Sequence, residues 1–293
     1  MIVRISKRAA GAMLALTAML LSAVSARATT IVSTGDPDGL IASASRTGSG
    51  TFEIETGDDF ILSSTTSITS ATFTGLITGT APSINSVKIE IYRVFPNDSD
   101  TLSTPSVPTR VNSPADVALD SRSSAGSSLN FTATTLGTSF TASNSLQAGG
   151  INPLPGQTTG GNGPITGMEV QFSVTFTAPF SLLADHYFFV PQVDVADGEF
   201  LWLSAPKPIV ASGTPFAPDL QAWARDENLD PDWLRIGTDI VGGSPAPTYN
   251  FVFSLDGRIA TPLPAALPLF ATGLGVMGLL GWRRKRKAQT LAA

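Results

Sequence analysis

Cysteine is absent from this 293-residue chain, and histidine occurs once. The first absence excludes a disulfide framework, cysteine-ligated zinc, thiol catalysis and iron–sulfur clusters; the second excludes multi-histidine metal sites. Acidic residues are missing from both ends, since all 23 lie between Asp36 and Asp256. Four basic residues (Arg4, Lys7, Arg8, Arg27) fall in the first 28 positions and five (Arg283, Arg284, Lys285, Arg286, Lys287) near the end. Nine remain in the interior, which therefore carries a net −14. So acidic a middle repels a phosphate backbone, and nucleic acid is not an expected partner.

What the ends do contain reads as targeting. Residues 1–28 place Arg4, Lys7 and Arg8 before an apolar run from Ala9 to Val24, followed by Ala26-Arg27-Ala28. This is the three-part layout of a secretory signal peptide, with small side chains where the peptidase pocket admits nothing larger. Cleavage after Ala28 leaves Thr29 as the new N-terminus; cleavage after Ala26 is the alternative. At the other end, 20 uncharged residues run from Leu263 to Trp282. A helix over 265–282 spans about 27 Å, enough to cross a hydrocarbon core. Pro264 and Pro268 fall in or near its first turn, and Trp282 stands at the expected interface. The Arg283–Lys287 cluster then acts as a cytoplasmic stop, so residues 29–261 are expected on the far side of the membrane. Gly273, Gly275 and Gly278 match G-x-G-x-x-G, but no acidic residue follows and the context of a strand and a helix is missing. A small-residue stripe on a membrane helix explains them better.

Pro262-Leu263-Pro264-Ala265, the glycine-rich apolar helix and the basic cluster, in that order, resemble the PEP-CTERM sorting signal in its VPLPA-type variant, with Thr261 where that variant usually has Val. The resemblance covers about 30 residues. It implies handling by an exosortase, a membrane-embedded transpeptidase cutting near the Pro-x-Pro element, in a Gram-negative host that makes extracellular polysaccharide. It implies nothing about the domain so delivered.

Of the 233 residues in 29–261, 58 are Ser or Thr, a composition that suits strands and turns. Alternation with period two marks the strongest strands. In Ser86–Phe95, Val87, Ile89 and Ile91 face one way, Lys88 and Glu90 the other. In Met168–Phe176, Val170, Phe172, Val174 and Phe176 alternate with polar residues, and Phe251, Phe253 and Leu255 form a shorter case. Weaker strands fit Thr51–Glu55, Asp59–Leu62, Ile68–Leu76, Phe131–Thr134, Thr138–Ala142, His186–Val193 and Glu199–Leu203. About ten strands, mostly antiparallel, predict an all-β, two-sheet sandwich of jelly-roll type. One short helical insertion is expected, with Asp219 capping Leu220–Leu229 and a further turn from Asp230-Pro231 to Gly237. Residues 96–167, dense in Ser, Thr, Pro and Gly, read as a long insertion holding two strands and a mobile tip around Gly156–Gly163.

Chemistry-bearing groups are sparse. His186 would have to serve any Ser-His-Asp hydrolase, but it sits in an apolar strand pattern and no nucleophile elbow occurs. Glu53, Glu55, Glu90, Glu169, Glu199 and Glu227 are the carboxylates open to a glycosidase pair. Calcium would bind through Asp36-Pro37-Asp38-Gly39, Asn97–Asp100, Asp194–Glu199 or Asp226–Asp232, where Asx turns and caps compete as explanations. Trp202, Trp223 and Trp233 would form any sugar-stacking platform, against a core role. No catalytic, cofactor or metal residue is assigned. The expectation is an exported, non-enzymatic protein acting as a structural or adhesive component of the cell envelope or polysaccharide matrix. A carbohydrate-binding module is the alternative, and an extracellular hydrolase stands third. The expected partners are signal peptidase, the exosortase-type enzyme, the membrane, and extracellular polysaccharide.

Overall fold

The computed structural model describes residues 28–48, 51–103, 107–151, 158–206 and 220–260, with 273, 275, 277 and 278. Residues 1–258 form one compact unit and 259–293 a second. The cleavage residue Ala26, the sorting residues Pro262–Ala265 and Arg283–Lys287, and most of the 265–282 span lie outside the described residues. Gly273, Gly275, Met277 and Gly278 are helical, and no helix among the described residues is long and apolar enough to cross a membrane.

The first unit is built from strands. In chain order they are β1 (Thr29–Ser33), β2 (Ile41–Ala44), β3 (Ile54–Leu62), β4 (Thr66–Ile77), β5 (Ser83–Arg93), β6 (Asp120–Ser123), β7 (Leu129–Ala142), β8 (Asn144–Leu146), β9 (Ile165–Leu182), β10 (Asp185–Ala196), β11 (Phe200–Ala205), β12 (Trp223–Asp226), β13 (Leu234–Arg235), β14 (Asn250–Phe251) and β15 (Phe253–Ile259). β1, β2, β4, β7, β8, β9, β11, β14 and β15 make a nine-stranded sheet; the other six follow the order β13-β12-β3-β10-β5-β6. The nine-stranded sheet is mixed rather than purely antiparallel, because β8 runs parallel to β2. The chain pairs like a long hairpin: β5 with β6, β4 with β9, β3 with β10 and β2 with β11, each antiparallel.

Alternation decides what each strand buries. Val87, Ile89 and Ile91 of β5 and Val170, Phe172, Val174 and Phe176 of β9 all enter one core between the sheets. Aromatic rings fill it. Phe73 and Phe172, opposite one another on β4 and β9, stack at 4.9 Å, and Phe73 reaches Phe189 of the other sheet at 6.3 Å. Phe189 in turn stacks on Phe253 at 5.1 Å. Gly75 is required by this packing, since a Cβ there would lie 2.3 Å from the Phe200 ring.

Two expectations are corrected. Leu220–Leu229 is not a helix: β12 occupies Trp223–Asp226 and pairs with the edge of β3 from Gly57 to Ile54. All four β12 residues are buried, and a strand can satisfy the open backbone of β3 where a helix cannot. The helical element nearby is a π-helical turn over Ile236–Val241; the proposed cap Asp219 lies outside the described residues. The described part of the Gly156–Gly163 tip is tied down. Thr159 and Gly160 N–H groups donate to Ile240 O at 2.9 and 3.1 Å, and Asn144 Nδ2 donates to Gly160 O at 2.9 Å. Gly161 adopts φ +82° against the Asn144 amide, with no room for a Cβ.

Because Ile89 and Phe172 share one core, Ile89→Asp and Phe172→Asp are each expected to abolish the same single cooperative unfolding transition, followed by circular dichroism. Phe172→Ala is expected to lower stability by about 3–5 kcal/mol in the same measurement.

Candidate functional site on the outer face of the six-stranded sheet

Alternation sends even-numbered β5 and β10 residues and odd-numbered β3 residues away from the central core. In register this juxtaposes Lys88 with Gln192, Glu90 with Val190, Tyr92 with Phe188, and Glu55 with Arg225 of β12. The sequence pattern reads such a face as solvated. Instead Glu55 and Glu90 are buried, and Tyr92, Phe188, Val190, Trp223 and Trp233 form a second apolar cluster there.

A charged network crosses this face. Tyr92 Oη donates to Glu55 Oε1 at 2.6 Å, Arg225 Nε donates to Glu55 Oε2, and Arg225 Nη2 donates to Tyr92 Oη at 3.0 Å. The Arg225 guanidinium lies 4.4 Å from the Trp233 ring centre, donates to Pro231 O and pairs with Asp230 at 2.8 Å. Lys88 pairs with Glu90 at 2.9 Å and Glu53 at 3.4 Å, while Gln192 Nε2 donates to Glu53 Oε1 at 2.7 Å. Beside it Arg110 pairs with Asp116 and with Asp232, the latter at 3.0 Å, its guanidinium 4.6 Å from the Phe95 ring centre.

These surroundings shift protonation. Burial, then the Glu55 charge, pushes Glu90 up to about 7 against the opposing pull of Lys88. Burial and Glu55 likewise raise the Tyr92 phenol. For Arg225, burial disfavours the cation, but Glu55 and Tyr92 outweigh it and the group is raised.

Glu53, Glu55 and Glu90 each place a carboxylate oxygen within 4.8 Å of the others. A cation there would compete with Lys88, Arg225 and Tyr92 for the same lone pairs. As an acid–base pair, Glu90 and Glu55 converge, but Glu55 is already held by two donors. The cleft lined by Glu53, Glu55, Arg225, Asp226, Glu227 and Asp230 has about 70 Å³, well below the roughly 300–1,000 Å³ of small-molecule sites. The arrangement joins covering segments to the sheet.

The remaining sequence candidates resolve separately. His186 Nε2 lies 2.6 Å from Asp59 Oδ2, and Asp59 Oδ1 accepts the Leu220 N–H. Trp202, Trp223 and Trp233 are all 1% exposed or less, and the Trp202 and Trp233 indoles donate to Val252 O and Ala115 O. In the four acidic loops, Asp38 accepts from Leu40 N–H and Ser204, and Asp98 pairs with Arg93. Glu199 pairs with Arg46, and Asp226 accepts the N–H groups of Asn228 and Leu229. Sequence reasoning missed Arg225, which it placed on a helix, and Tyr92, whose position two residues beyond Glu90 already put it on the same face.

No protein family, curated protein or solved structure matches the chain.

Removing Arg225 leaves Glu55 buried without its cation, so Arg225→Ala is expected to cost about 3–5 kcal/mol in guanidinium denaturation. Glu90 holds its proton to about 7 when folded, against 4.5 for the ordinary carboxyl. The folded state therefore binds the extra proton, and this contribution is complete below pH 4.5 and lost as pH rises through 7. Glu90→Gln is expected to flatten that slope and to be more stable than the unchanged chain above pH 7, in denaturation curves recorded across the interval.

Proposed function

We propose that this chain is an exported, non-enzymatic module of the cell surface or polysaccharide matrix, delivered through a cleaved signal peptide and a PEP-CTERM-type tail. One observation carries the reading. Thr29 of β1 pairs with Gly257 of β15, and Thr30 Oγ1 donates to Asp256 Oδ1 at 2.7 Å. The chain thus enters and leaves its first unit at one sheet edge. Cleavage after Ala28 leaves β1 whole. A jelly-roll-like fold is the finer reading of the architecture, supported by the nested antiparallel pairs β5/β6, β4/β9, β3/β10 and β2/β11.

The structural or adhesive reading is favoured over a hydrolase because Glu55 is held by Arg225 and Tyr92, and over a Trp-based sugar platform because the three candidate rings are buried. Polysaccharide remains the proposed surroundings rather than a ligand of a defined pocket.

Mass spectrometry of both termini in protein from the native host tests this. The expected mature chain begins at Thr29 and has lost the Arg283–Lys287 cluster. External protease on spheroplasts is expected to digest the central domain of any precursor while sparing that cluster. An intact Met1 end, or a protected central domain, overturns the export reading.

A further inference from the structure

An unpaired sheet edge offers free backbone N–H and C=O groups to any strand that reaches it. Among the described residues most edges here are blunted. β1 has five residues, β8 three, β13 and β14 two each, and β6 four, including Asp120 and Arg122. β7 differs. It runs 14 residues, contains no charged residue and no proline, and pairs with β9 on one side. Leu129 and Ala142 at its ends are buried, Phe131, Gly137 and Phe140 are half-buried, and the other nine residues are exposed.

We propose that β7 is a self-association edge, on which a second copy of this chain docks its own β7 antiparallel across a two-fold axis. Neutrality favours a second copy over a foreign partner, because the strand presents no charge by which another surface would be selected. The ladder with β9 is regular from Leu129 to Thr135, and its register shifts begin only after Thr135. A two-fold through Thr132 uses that regular stretch. It sets Thr132 opposite Thr132, Asn130 opposite Thr134, and Phe131 opposite Ala133, and each pair shares a face because its members are an even number of residues apart. Hydroxyl and amide groups then meet on one face, and Phe131 covers Ala133 on the other.

Placement agrees. β1 and β7 close opposite ends of the run β1-β15-β4-β9-β7, so the edge at which the chain enters and leaves does not compete with the docking edge. Pairing of a strand with its own copy is isologous and closes at a dimer. The inference goes beyond the export reading and stands on the sheet edge alone.

The chain has no cysteine, so Thr132→Cys introduces a unique thiol. Directly opposed residues sit roughly 4.5–5.5 Å apart at Cα, within disulfide range. In the full chain, mild oxidation is expected to link Thr132→Cys into a dimer at least about tenfold faster than Ser121→Cys on the charged β6 edge. Thr132→Lys and Thr132→Glu are each expected to sediment as monomers that keep a single cooperative thermal transition, and to associate when mixed, because like charges repel at the axis and opposite charges attract. A monomeric unchanged chain, cross-linking no faster than the control, or capture of Thr132→Cys by a different protein in cells would each overturn the proposal.

Discussion

The Arg225 guanidinium locks together parts of the chain that strand pairing brings side by side. It is bonded to Glu55 of β3 and Tyr92 of β5, pairs with Asp230, and lies over Trp233. Taking a cation and a carboxylate out of water costs several kcal/mol for each, which only close pairing and complete hydrogen bonding recover. Once Arg225 and Glu55 are committed to one another, Trp223 and Trp233 are carried onto the outer face of the six-stranded sheet, and that face becomes interior. Arg110, between Asp116 and Asp232, repeats the device under the preceding segment.

This has a direct bearing on function. The face that carries the Glu55–Arg225 and Lys88–Glu90 pairs is also the face that the covering segments close, so its carboxylates are engaged in holding structure. Glu90 is the exception in kind. Burial, then the Glu55 charge, raises it to about 7, which makes the stability of the unit sensitive to pH near neutrality. The longest sheet edge among the described residues is the uncharged β7, on the other sheet.

Particular residues mark how far sequence reasoning reached. Val87, Ile89 and Ile91, and Val170, Phe172, Val174 and Phe176, point into the core as their alternation requires. The same alternation put Lys88 and Glu90 on the opposite side but carried no information about what covers that side. At Leu220, Trp223 and Leu229 the apolar spacing suits a helix, yet the open edge of β3 recruits Trp223–Asp226 as a strand, and tertiary demand overrides local preference. The 158–163 segment has a loop's composition, but its backbone groups find partners in Ser145 and Ile240.

The sequence by itself determined the β class, the core-facing residues of β5, β9 and the last strands, and the exclusion of thiol and multi-histidine chemistry. Each of these follows from composition or from the two-residue period of an extended backbone, which is a local property. Only the tertiary structure decided that β2 returns to β11, that β12 seals β3, and that Glu55 meets Arg225 across 170 residues of chain. Such pairings depend on which distant surfaces bury one another once loops close. No local pattern encodes that choice, because the free energy that makes it exists only when both partners are in place.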